Sequence, residues 1–351
     1  MVFSITDSDF LDNNKVKVIH GVAGRGKSSV INDFLQSNGV DYLWTTSTNK
    51  LKRDAAERYG CNASTVCSAL FDNENGKFYT REKDPDIHTI IIDEILQTSI
   101  KVLDWIMHHI GRYNIIVLTD THQMLALDNQ VSEFLTRFND LLTQPFVCVD
   151  EGTETKRARD AETKAQIEYL YTKSDDTCTE FKKDVDTNRF DIISYEEMPF
   201  SLNDIYITHL NETEEKLYVD KKLAQGCYNP DDLIPKGNIA NKPPKDFTRY
   251  PVLSQLQAER LRSQSYYQLK NVGSCTRYQG SECTTSQKLY YIVTLDSKIT
   301  NREWYTVVSR CWSLDSIVIV IANRKKVNQL KTFNNRKVKN TKMLCLTGVQ
   351  I

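Results

Sequence analysis

Short apolar runs that end in an acid or a glycine-rich turn open the chain. They alternate with segments whose apolar residues recur at helical spacing. Residues 16–20 (Val-Lys-Val-Ile-His) read as a short buried strand, followed by a glycine-rich turn and a helix that Gly39 is placed to cap. Residues 42–46 read as a second strand and 49–59 as a charged helix. The run 89–93 (Thr-Ile-Ile-Ile-Asp) is apolar until its final carboxylate, as expected of a strand buried on both faces. Helical spacing returns over 99–110, and 114–120 repeats the strand-then-acid pattern. Strands alternating with helices predict an α/β fold with a parallel sheet and right-handed crossovers.

A second alternation opens at 203 and resumes at 289–294 and 316–321. Between them, 226–270 holds five of the eight prolines and little periodicity, and reads as an insertion. The segment 323–343 carries eight Lys/Arg and no Asp/Glu. A length of 351 residues suits two domains. The expected division is 1–150, with a short hairpin insertion near 72–86; then 151–322, with the insertion near 226–270; then a basic tail, 323–351. The hairpin is signalled by an Asn-Gly pair in a polar stretch.

Composition narrows the class. With 40% hydrophobic and 26% charged residues the chain is not of disordered type. A net charge of −1 excludes a uniformly basic coat but leaves room for a local basic channel. There is no apolar run long enough for a membrane helix, and residues 1–14 lack the marks of a secretory signal. Nine scattered cysteines without a Cys-x-x-Cys motif suggest neither a disulfide framework nor a zinc site. A cytoplasmic setting is expected. The adjacent His108 and His109 point apart on a helix, and both are expected at the surface.

The candidate chemistry begins at Gly21-Val-Ala-Gly-Arg-Gly-Lys-Ser28, which fits G-x-x-x-x-G-K-[ST] between a predicted strand and a predicted helix. Backbone N–H groups of Gly21, Ala23, Gly24, Arg25, Gly26, Lys27, Ser28 and Ser29 would cradle phosphates at a helix N-terminus. Lys27 would reach the β- and γ-phosphates, and Ser28 would hold Mg²⁺. Asp93 would bind the same Mg²⁺, and Glu94 would activate the attacking water. That pairing favours hydrolysis over transfer to a small substrate. Gln123, after the next strand, lies at the edge where parallel sheets bind ligands and could sense the γ-phosphate.

These motifs, in this order, make the chain resemble the superfamily 1 helicases over roughly 15–322, nearest the RecD-like and phage Dda-like 5′-to-3′ branch. GVAGRGKS resembles motif I, IIIDE motif II and TDTHQ motif III, with Thr119 where the family usually has Gly. TTSTNKLKRDAA resembles motif Ia, and NASTVCSAL resembles the segment after it, with Cys67 where His is common. GTETKRARD resembles motif IV, with Arg157 as its arginine and Arg159 as rival; CTRYQGSECTT resembles motif V and WYTVVSRCW motif VI, with Arg310.

The resemblance implies two RecA-like P-loop domains with small insertions. Domain one would supply the cradle, the metal ligands and Glu94; domain two would supply Arg157 and Arg310 to neutralise charge on the transferred phosphoryl group. Gly280 and Glu282 join the implied ATP-binding set. Implied nucleic-acid contacts are Thr46, Ser47, Asn49, Lys50, Ser64 and Thr65 on the first domain and Thr276 and Tyr278 on the second. Each hydroxyl could instead cap a helix, and Trp44, inside a predicted strand, reads as core. The hairpin could act as a strand-separating pin. The expected cofactors are ATP and Mg²⁺. The expected partner is single-stranded nucleic acid, DNA over RNA, with replication proteins as further partners of a monomer from a phage, virus or mobile element. Two other readings stay open: a viral-type RNA helicase, and an ATP-dependent switch or loading factor that does not unwind.

Overall fold

The computed structural model describes residues 5–74, 77–80, 87–123, 131–173, 178–180, 189–199, 201, 203–209, 233–235, 267–269, 271–279, 283–294 and 298–321. Its residues form two compact units, one built on Met1–Thr172 and the other on most of the chain from Lys173 onward.

The first unit is built on a fully parallel sheet. Its strands are β1 (Val16–Gly21), β2 (Tyr42–Thr46), β3 (Asn62–Thr65), β6 (Thr89–Asp93), β7 (Asn114–Thr119) and β8 (Val147–Gly152). They lie in the order β3-β2-β6-β7-β1-β8. A separate antiparallel hairpin joins β4 (Phe71–Glu74) to β5 (Lys77–Thr80), at the expected insertion. The helices are α1 (Asp7–Phe10), α2 (Lys27–Ser37), α3 (Asn49–Tyr59), α4 (Val66–Leu70), α5 (Ile100–His109), α6 (Val131–Leu142) and α7 (Ala161–Lys173).

Alternation within each strand feeds two cores. Val18, Ile90, Ile92, Ile115 and Val117 pack with Leu103, Trp105 and Phe138 of α5 and α6. Ile19, Trp44, Ile91, Ile116 and Leu118 pack with Ile31, Leu35 and Ala55 of α2 and α3. That two-sided burial is why the strands read as continuous apolar runs. Trp44 is core, as expected. His109 corrects the expectation of two surface histidines: it is buried, stacked on Trp105 at 4.2 Å, with Nδ1 2.7 Å from the Trp105 carbonyl.

The expected domain boundary at 150 is also corrected, because it would fall inside β8. Strand β8 pairs with β1 from Val16↔Val147 to Gly21↔Gly152, and the first unit runs on through α7. A parallel strand beside the glycine-rich turn completes the first sheet rather than opening a second.

The second unit carries a five-stranded parallel sheet made of β10 (Asp191–Ser194), β11 (Ile205–Thr208), β14 (Val272–Ser274), β15 (Leu289–Ile292) and β17 (Ile317–Ile321). The order is β10-β17-β15-β11-β14. A short ladder joins β9 (Cys178–Glu180) to β16 (Lys298–Thr300); two further short strands are β12 (Leu233–Pro235), most of which groups with the first unit, and β13 (Tyr267–Leu269). Tyr206, Tyr290, Ile292, Val318 and Val320 form its core, with Tyr206 and Tyr290 stacked at 5.0 Å. Helices α8 (Cys275–Tyr278) and α9 (Asn301–Val308) flank the strand ends. The basic tail and most of the 226–270 insertion lie outside the described residues. Among the described residues no helix is long and apolar enough to cross a membrane.

Candidate active site

Strand β1 is buried along its whole length and delivers the chain at Gly21 into the turn that starts α2. The turn needs its glycines. Gly24 has φ +76°, and a side chain there would overlap Arg157. A side chain at Gly21 would overlap the Gly152 backbone, which accepts a 3.0 Å hydrogen bond from Val22 N–H. The cradle is thus walled by the segment after β8. Thr155 Oγ1 donates to the Ala23 carbonyl at 2.8 Å, and Lys156 N–H to the Gly24 carbonyl at 3.0 Å. The Arg25 side chain reaches β8. Its guanidinium, buried, donates to Asp150 Oδ2 at 2.5 Å and to the His20 carbonyl at 3.2 Å.

Lys27 Nζ donates to the carbonyls of Gly21 and Val22 at 2.7 and 3.3 Å. Burial lowers its pKa, against the opposing pull of Asp120, Glu94 and Asp93. These carboxylates come from the ends of β6 and β7, where every parallel strand of the sheet delivers its C-terminal end to one edge. Asp93 accepts from Trp44 Nε1 at 3.2 Å; burial, then the neighbouring Glu94, push its pKa up to about 7. A half-buried carboxylate beside a second carboxylate fits a divalent cation, which would favour its charged form. Ser28, at the start of α2, is the hydroxyl the cradle motif offers to the same ion.

Glu94 is the one non-glycine residue among those described with positive φ, at 56°. Its N–H donates to the Leu118 carbonyl at 3.1 Å. Gln279, grouped with the first unit, donates from Nε2 to Glu94 Oε2 at 3.3 Å. Gln123 is buried and donates to Asp120 Oδ2 at 2.8 Å, while Asp120 Oδ1 accepts the His122 N–H at 3.0 Å. His20 is 2.6 Å from the Thr121 hydroxyl, which ties β1 to this turn.

Arg157 requires a correction. It belongs to the first unit, against Gly24, and does not come from the second. Arg310 does belong to the second unit, just after α9, and is buried. Gly280 and Glu282 lie outside the described residues.

The expected nucleic-acid contacts divide. Thr65 caps α4, accepting the Ser68 N–H at 3.3 Å, and Thr46 is buried with its hydroxyl on the Thr48 carbonyl at 3.0 Å. Tyr278 is also buried, so its ring is not presented as an open stacking platform. Ser47, Asn49, Ser64 and Thr276 are partly exposed; Ser47 donates to Gln97 at 2.8 Å. Lys50 lies in the first turn of α3, and its side chain is outside the described set. Sequence reading missed Asp120, Asp150, Thr155 and Gln279 as parts of the site. Only Asp120 left a local trace, being an acid just past the end of an apolar strand.

Residues 8–135 match the family model described as an AAA domain. No curated protein matches the chain. Three solved helicase structures are similar along nearly the whole length. Bacteroides Pif1 bound to ssDNA has a TM-score of 0.57 at 14% identity, covering 96% of this chain and 98% of that one. Bacteroides Pif1 with ADP-AlF3 and ssDNA has a TM-score of 0.55 at 15% identity, covering 95% and 98%. Pif1 from Candida albicans has a TM-score of 0.52 at 14% identity, covering 92% and 96%. The chain therefore has the fold of the Pif1 helicases, two RecA-like domains each built on a parallel sheet flanked by helices.

Proposed function

We propose that the chain is an ATP-hydrolysing helicase or translocase that moves along single-stranded nucleic acid, DNA in preference to RNA, in the 5′-to-3′ direction. The observation that carries this reading is the convergence of Lys27, Asp93, Glu94 and Asp120 on one edge of the first sheet. The Bacteroides Pif1 structures solved with ADP-AlF3 and ssDNA share the fold, and support ATP and DNA as the ligands. ATP would place its phosphates on the N–H groups of the turn before α2, and Lys27 would exchange its two carbonyl acceptors for phosphate oxygens. Ser28 and Asp93 would hold Mg²⁺, which supplies charge neutralisation at the phosphates. Glu94, steadied by Gln279, would accept the proton of the attacking water. Arg310 keeps the phosphate-neutralising role that its motif implies.

Steady-state ATPase with unstructured DNA and RNA oligonucleotides, at two salt concentrations, tests the reading. Many-fold stimulation by DNA that weakens with salt is expected. Stimulation by RNA alone would establish an RNA helicase. No stimulation by either would turn the assignment to a switch or loading factor.

A further inference from the structure

The second unit encloses a carboxylate that the proposed chemistry does not use. Glu303 lies in α9, is 6% exposed, and gathers three donors on a single oxygen. Oε1 accepts from Nδ1 of His209 at 2.8 Å, from the Tyr291 hydroxyl at 2.7 Å and from the Cys275 thiol at 3.7 Å. The donors come from three other places in the unit: His209 follows β11, Tyr291 is in β15, and Cys275 opens α8. A carboxylate removed from water is strongly disfavoured unless donors surround it. Burial, and then Glu303 itself, hold the Cys275 and Tyr291 protons in place, so both stay donors; hydrogen bonding to Glu303 raises the His209 pKa.

Two helices meet at this oxygen, and each leads to an expected functional residue. Thr276, next to Cys275 in α8, is one of the nucleic-acid contacts that the family resemblance implies. Arg310 follows α9 and is tied back to it. Its Nε donates to the Thr306 carbonyl at 3.2 Å, and its N–H to the Val307 carbonyl at 3.2 Å. A shift of α8 must therefore pull the Cys275 thiol off the buried carboxylate or move α9, and Arg310 with it. We propose that Glu303 is a positioning residue that couples occupancy of the nucleic-acid track at Thr276 to the setting of Arg310. Single strands would then accelerate ATP turnover through α8 and α9.

The inference rests on the motor reading above. The test titrates an unstructured oligothymidylate into the full chain and its variants, following ATPase rate and, by anisotropy, DNA binding. Glu303→Gln keeps the shape and removes the charge. Its unstimulated rate and KM for ATP should stay within about twofold of wild type, while the DNA-saturated rate falls about tenfold. Tyr291→Phe removes one donor and leaves the carboxylate; a smaller loss of about threefold, again confined to the stimulated rate, is expected. Stimulated and unstimulated rates falling in parallel, or a stimulated rate unchanged in both variants, would overturn the proposal. If Glu303→Gln fails to fold, Tyr291→Phe decides alone. A wild-type chain that no strand stimulates would overturn the motor reading itself, and that result is read before any variant is made.

Discussion

Glu94 holds the left-handed conformation that side chains avoid, at φ 56°, a strain of about 1–3 kcal/mol that its surroundings must sustain. Glu94→Gln should bind ATP with near wild-type affinity and lose hydrolysis by at least about 10²-fold; equilibrium binding alongside turnover checks this. Lost binding would make its role structural. Lys17 carries a different residue-scale prediction. It is fully buried in β1, donates to the Asp12 carbonyl at 2.6 Å and to Asn114, and burial lowers its pKa to about 8. Between pH 8 and 10.5 the unfolded chain binds the proton that the folded chain releases, so this residue's contribution to stability rises with pH across that window. From pH 8 to 10 the urea midpoint of the wild type should gain on that of Lys17→Met, the difference isolating this lysine from the buried thiols and phenols, whose raised pKa values act in the opposite direction. Lys27, Asp93 and Glu94 were legible in the sequence because each belongs to a short local motif, 21–28 or 90–94. The partners of Arg25 and Gln279 were not, because the fold alone brings them together.

At the scale of elements, β8 decides the shape of the cradle, and it is one of the strands that the sequence hid, with β3, β10 and β14. It sits at the sheet edge, its Val149 is 38% exposed, and so its apolar signal is weak. The inner strands β1, β6 and β7, buried on both faces, were plain. The Asn-Gly signal likewise located the β4–β5 hairpin, since turn chemistry is read from adjacent residues. The buried Arg25–Asp150 pair fastens β8 to the turn. Asp150→Ala should destabilise the first unit by about 3–5 kcal/mol, because it strands a buried cation. The double change Arg25→Met with Asp150→Leu should recover most of that loss. A urea denaturation cycle over the four proteins measures both, and a mild single mutant would show that water reaches the arginine.

At the scale of the whole molecule, two parallel-sheet units follow one another with the division near Thr172. Sequence foresaw two domains but divided them too early, assigning Arg157 to the second. With Arg157 set beside Gly24, Arg310 is the one of the two expected motif arginines that lies in the second unit. Arg310→Ala should lower turnover by about 10³-fold with little change in ATP affinity. Rapid-quench hydrolysis together with nucleotide titration separates the two, and a normal rate would return the role to Arg157 or Arg159. The walls of the cradle also set a timetable. Asp150 lies 125 residues beyond the Arg25 it holds, and Thr155 lies 132 beyond Ala23. During synthesis at about 5–20 residues per second, the glycine turn would wait roughly 6–25 s for the chain that gives it its shape. A nascent chain ending before those walls emerge would carry the complete motif and still lack a finished nucleotide site.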